Sequence, residues 1–156
     1  MGIVIDLLFL SKWVNVSYQL NPIFLIAIYL FYSVGIFGFF MGVPVFNSIM
    51  GPLAGFYVGR RLKQEKADPK ATNRMIHRTG LFTSFVLAVA STASFILAAN
   101  EITLAGNING MLRDMLGLKI ALNNQMILMF SAFAGIGIVA AEYVLTQAAA
   151  KKAVLL

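Results

Sequence analysis

The feature that most constrains this chain is where its charges are missing. Residues 22–59 and 80–100 contain no Asp, Glu, Lys or Arg, and residues 125–147 contain only Glu142. A hydrocarbon layer about 30 Å thick calls for roughly 20 apolar residues as a helix. In such a medium every backbone N–H and C=O must be satisfied within the segment, which an unbroken apolar stretch achieves as an α-helix. Hydrophobic residues make up 60% of the 156 positions and charged ones 12%, against roughly 25% charged in a soluble domain. The sequence therefore predicts an all-α polytopic membrane protein.

The first uncharged gap is about twice the length of one crossing, so it must fold back. Gly42-Val43-Pro44 marks the place, because a residue before proline is pushed out of the helical region. The expected architecture is a four-helix transmembrane bundle over residues 22–156, with spans at about 22–41, 45–62, 79–99 and 125–147. Asn21-Pro22 and Asp68-Pro69 pair a good N-cap with a proline tolerated in the first helical turn, so the third helix is expected to start near Asp68 and project beyond the membrane. In the outer connection, Asn107 to Gly110 reads as a turn, and Met111, Leu112, Met115 and Leu116 recur at the spacing of a short surface helix.

Residues 1–21 read as an amphipathic interfacial segment. Asp6, Lys12, Asn15, Ser17 and Gln19 alternate with apolar residues, and Trp13 and Tyr18 fit the headgroup level. The rival is a further span, made costly by Asp6 and Lys12. No basic n-region or small-residue cleavage site precedes it, so the segment is expected to be retained.

Orientation follows from the loops. Arg60, Arg61, Lys63, Lys66, Lys70, Arg74 and Arg78 face only Glu65 and Asp68, whereas residues 100–124 balance Arg113 and Lys119 with Glu101 and Asp114. The positive-inside bias makes the loop at 60–78 cytoplasmic and the loop at 100–124 external. With four spans, Lys151, Lys152 and both termini fall on the cytoplasmic side of an inner or plasma membrane.

Several residues stand out as functional candidates. Gly51, Gly55 and Gly59 recur every fourth position with Asn47 one turn earlier, a face on which another helix can approach closely, either within the chain or from a homo-oligomer or membrane partner. Pro52 is expected to kink its helix. Glu142 is the one acidic residue in a predicted span, and intramembrane ionisable groups point to a bundle interior, a partner or a water path. Ser131, Gly135, Ile138 and Glu142 share one helical face. The bland alternative is a carboxylate paired with Arg60, Arg61 or Arg78. Thr79, Thr83, Ser84, Ser91, Thr92 and Ser94 form a hydroxyl stripe that either glues helices together or lines a path with Ser131 and Glu142. Arg60, Arg61, Arg74 and Arg78 are candidate contacts for anionic lipid.

Other chemistries are disfavoured. The chain has no cysteine and one histidine, His77, without ligand partners nearby in sequence, so neither a metal site nor a cofactor is expected. No nucleophile elbow, paired intramembrane acids or phosphate loop occurs, and the basic loop lacks the aromatics of a nucleic-acid surface. Enzymatic activity is not expected, apart from the residual idea of lipid-phosphate chemistry. The leading expectation is a non-enzymatic subunit or assembly factor packing through glycine-rich faces in the bilayer. The alternatives are a small oligomeric transporter or channel with Glu142 as its carboxylate, and a lipid-binding or lipid-modifying protein.

The absence of cysteine makes the orientation directly testable. A single cysteine at Lys70 is expected to react with an impermeant maleimide only from the cytoplasmic side, and one at Arg113 only from outside. Labelling of both from the same face would overturn the assignment of these loops.

Overall fold

A computed structural model describes residues 18, 20–40, 42–101, 103–117 and 121–156. The proposed interfacial segment at 1–21 lies almost wholly outside the described residues. Among those described, all regular structure is helical: α1 (Pro22–Phe39), a 3₁₀ helix (Pro44–Ile49), α2 (Met50–Gln64), α3 (Pro69–Ala99), α4 (Leu104–Leu116) and α5 (Asn124–Leu155).

The helix starts follow their caps. The Asn21 side chain accepts from Ile23 N–H at 2.9 Å, Asp68 from Lys70 N–H at 3.0 Å, and Asn123 from Met126 N–H at 2.8 Å, each satisfying a donor that a helix N-terminus leaves orphaned. At the end of α2 the chain reverses through Lys66, a non-glycine residue at φ 50°. There Ala67 N–H donates to the Leu62 carbonyl at 3.2 Å, the six-to-one bond of a Schellman motif. Asp68 and Pro69 then restart the helix at once.

Three helices are long and apolar enough to cross a membrane: α1, α3 and α5. This corrects the expectation of four. The predicted second span, residues 45–62, divides into the 3₁₀ helix and the 15 residues of α2, and α2 rises only about 22 Å at 1.5 Å per residue. Its end also carries Arg60, Arg61 and Lys63. The fold-back at Gly42-Val43-Pro44 is present, with Gly42 at φ 80°, a conformation that glycine adopts without strain. Pro52 stands third in α2, just after the 3₁₀ helix ends, and not in the middle of one unbroken span.

The connection at residues 100–124 also differs from expectation, because α4 starts at Leu104 and runs straight through the Asn107 to Gly110 turn signal. Side-chain bonds outweigh the local preference. The Asn109 side chain donates to the Leu122 carbonyl at 2.8 Å and accepts from Leu122 N–H at 2.9 Å, while Asn107 donates to Thr103 Oγ1 at 3.1 Å. Gly117, at φ 67°, ends the helix.

The core is a three-helix unit in which α2 and α3 both lie against α5. Leu62, Ile76 and Ala150 form its apolar centre, with Val58, Ala67 and Val154 packed around them. The α2–α5 contact is unusually close. A methyl group built on Gly55 would stand 2.2 Å from the Thr146 carbonyl oxygen, and one on Gly59 would stand 2.2 Å from that of Ala150. The backbones therefore meet with nothing between them, the arrangement that small residues permit in membrane helices.

Gly55→Ala is accordingly expected to lower the thermal unfolding midpoint in mild detergent, with overpacking costing about 1–3 kcal/mol. Gly35→Ala, where an added methyl meets nothing within 4 Å, should be neutral or slightly stabilising, since alanine favours helix by roughly 1 kcal/mol. Equal effects at the two positions would rule out the close approach.

Candidate buried carboxylate site

Glu142 is 0% exposed, in a chain whose apolar residues lie largely on the outside. Three turns of α5 present Glu142, Thr146 and Ala150 to α2, and three turns of α2 answer with Gly51, Gly55 and Gly59. The matching steps of four put the carboxyl against the glycine nearest the start of α2. A methyl on Gly51 would lie 2.0 Å from Glu142 Oε1 and 2.4 Å from Thr146 Oγ1, so only glycine leaves room for the acid to turn inward. The Gly51 amide is close to the carboxyl, yet neither carboxyl oxygen has a hydrogen-bond partner among the described residues.

The surroundings are polar and uncharged. The Thr146 hydroxyl shares a hydrogen bond with that of Thr83 on α3 at 3.2 Å, and both residues are 0% exposed. Asn47, in the 3₁₀ helix one turn before Gly51, donates through Nδ2 to the Ser33 carbonyl of α1 at 2.9 Å. Its Oδ1 and the Ser33 hydroxyl are buried without a partner. Tyr29, one turn before Ser33, is near enough to feel the Glu142 charge and packs on Phe82 of α3 with ring centroids 5.4 Å apart. The 3₁₀ helix touches α1, α2, α3 and α5 alike, so the centre lies where all these elements converge.

No arginine reaches the carboxylate, which removes the pairing with Arg60, Arg61 or Arg78. Arg61 bonds through Nε to Glu65 at 2.8 Å and through Nη1 to the Leu20 carbonyl at 3.0 Å. Arg74 and Arg78 are exposed on the polar turns of α3, and Arg60 is half-buried on α2. His77 Nδ1 meets the Tyr143 hydroxyl at 2.6 Å, away from Glu142. Among the described residues no group of three or more His, Cys, Asp or Glu side chains is placed to hold a metal ion.

The hydroxyl stripe divides between two places. Ser84, Ser91 and Ser131 line a groove of about 620 Å³ between α3 and α5, with Gly135 and Tyr143 on the same walls. The Ser84 and Ser91 hydroxyls are buried there without partners. Glu142 shares its helical face with Ser131 and Gly135, yet it does not line the groove. The glycine face of α2 begins at Gly51 and covers only the C-terminal half of α5, so the stripe is closed at Glu142 and open at Ser131. Ser94 instead bonds to the Gly42 carbonyl, tying α3 to the fold-back after α1.

Ser33 and Thr146 escaped the sequence reading. Thr146 lies one helical turn from Glu142, and Ser33 one turn from Tyr29, so a search for isolated polar residues four positions apart within apolar helices would have raised both. Comparisons with protein-family models, curated proteins and solved structures find no match to this chain.

The contact between Gly51 and Glu142 predicts a coupled pair. Gly51→Ala alone should lower the unfolding midpoint, with overpacking again costing about 1–3 kcal/mol, and adding Glu142→Ala should recover part of that loss because the two positions share one space. Strictly additive effects would mean that the two residues do not touch.

Proposed function

We propose that this chain is a small multi-pass membrane transport protein of the inner or plasma membrane, working through Glu142. One observation carries the reading: an acid buried among apolar helices, without a cation to hold it and without a well-formed hydrogen bond to either oxygen. Burying an unpaired carboxylate is among the most expensive things a protein can do, and acids kept at membrane depth mark ion and proton pathways. Packing alone would be served better by an alanine or leucine at position 142.

The broken second leg supports the same reading. Transport sites are often built where a membrane helix is interrupted, since the interrupted ends offer polar backbone groups at depth. Here the 3₁₀ helix meets α2 directly beside Glu142. The two together rise about 34 Å, so they serve as a discontinuous return leg after α1. On that reading the basic residues 60–78 and both termini are cytoplasmic.

A role as an assembly subunit is the second reading, and the α3–α5 groove is the observation that favours it. Ser84, Ala88, Ser91, Ala132 and Gly135 make small-residue walls of the kind another membrane helix fits. The glycine stripe is the poorer candidate seam, because Gly51, Gly55 and Gly59 are buried against α5 of the same chain.

Reconstituted protein should dissipate an imposed proton or alkali-cation gradient faster than empty vesicles, and Glu142→Gln should cut that flux at least about tenfold, which corresponds to roughly 1.4 kcal/mol in the rate-limiting step. Wild-type protein that is monodisperse and folded yet moves none of these ions would defeat the transport reading. Loss of a defined oligomeric mass on Ser91→Leu, with flux absent throughout, would favour the assembly reading.

A further inference from the structure

We infer that the Glu142 centre is a binding site for a monovalent alkali-metal cation, ligated by the carboxylate together with Asn47 Oδ1 and neighbouring hydroxyls. The inference deepens the transport reading by naming its ligand class, and it shares that reading's carboxylate.

Charge comes first. Only one formal negative charge is present at the site, and the groups around it, Asn47, Gly51, Thr146 and Tyr29, carry no charge in their ordinary states. One carboxylate in a water-poor setting is balanced by a single positive charge. A divalent ion would leave one charge uncompensated where compensation matters most, and it would ask for several carboxylates or a full shell of water. The N-terminus of α2 helps only in part, since a helix end amounts to about half an elementary charge.

Coordination then separates a metal cation from a bare proton. Three buried atoms without partners, Glu142 Oε1, Glu142 Oε2 and Asn47 Oδ1, are acceptors that cannot donate. A proton added to Glu142 supplies one donor and satisfies at most one of the others. A metal cation takes several oxygen ligands at once. Hydroxyls that also accept lie on the same helices: Thr146 Oγ1 beside Gly51, and that of Ser33, whose carbonyl accepts from Asn47. Carboxylate, amide and hydroxyl oxygens belong to the ligand set hard cations prefer.

The geometry also says how occupancy would be felt. Asn47 holds α1 through the Ser33 carbonyl, while Glu142 belongs to α5, so a cation bridging them ties α1 to the three-helix core. A ligand that binds the folded state stabilises it in proportion to the logarithm of its concentration over Kd.

The test uses the full-length protein in mild detergent at one fixed pH, comparing thermal unfolding in sodium chloride, potassium chloride and choline chloride of equal ionic strength, alongside equilibrium binding of radioactive sodium. The expected result is a midpoint that rises with sodium or potassium over choline, and saturable binding near one ion per chain. Asn47→Ala should weaken the affinity about tenfold, a loss of roughly 1.4 kcal/mol, and Glu142→Gln should abolish binding. If Glu142→Gln does not fold, the comparison of salts on wild-type protein still decides. Equal midpoints in all three salts would overturn the inference. Glu142-dependent flux of protons alone, with no alkali-cation binding, would overturn it and leave the transport reading standing. Binding without flux would do the reverse.

Discussion

The backbone contact between α2 and α5 is what the rest of this molecule is arranged around. In lipid, apolar side chains gain little by leaving the solvent for each other, so helices associate through close van der Waals contact and polar bonds. Gly55 and Gly59 let α2 lie directly on the Thr146 and Ala150 carbonyls, an approach that any side chain there would block. That contact sets the register of α2 along α5. Once the register is set, Gly51 must come to rest on Glu142, and the acid is closed off from the surface and from the basic side chains of residues 60–78. Thr83 on α3 fixes the other side by its bond to Thr146.

Helix α1 is bound differently. Its outward residues are large and apolar, with Phe39 80% exposed and Ile23 75% exposed, and only Tyr29 and Ser33 are buried. Its ties to the core are few and mostly polar: the Asn47 bond to the Ser33 carbonyl, the packing of Tyr29 on Phe82, the bond of Ser94 to the Gly42 carbonyl, and the reach of Arg61 to Leu20. A segment attached by a few such contacts opens at lower cost than one packed along its whole length. The two units thus have different mechanical characters, a rigid glycine-locked core and a loosely moored helix over its polar centre. The buried polar atoms without partners at the centre sit between them, at Ser33, Asn47 and Glu142, where a change in the position of α1 would alter their surroundings most.

How far the sequence reaches can be judged residue by residue. Charge-free stretches and Asx-Pro caps depend on composition and on local hydrogen bonding, so α1, α3 and α5 could be read directly. Glu142 could be singled out because ionisable residues are rare inside apolar segments, and Gly51, Gly55 and Gly59 because their spacing repeats. The second crossing could not be read correctly. Apolar content does not tell a 3₁₀ turn from the start of an α-helix, and the division at Met50 arises where Asn47 bonds across to α1. The same limit explains α4, whose Asn109 prefers a partner near residue 122 to a local turn.

What the sequence by itself determined is therefore the length and apolar character of the helices, the helical class, and the list of residues too polar or too small to be there by chance. Those follow from solvation and chain geometry, which act on each segment alone. Whether Gly51 faces Glu142 or another chain, whether an arginine reaches the acid, and whether Ser131 stays open while Glu142 is closed were decided only in three dimensions. Each depends on which helices lie side by side and at what height, and that is set by the meeting of two backbones distant in sequence.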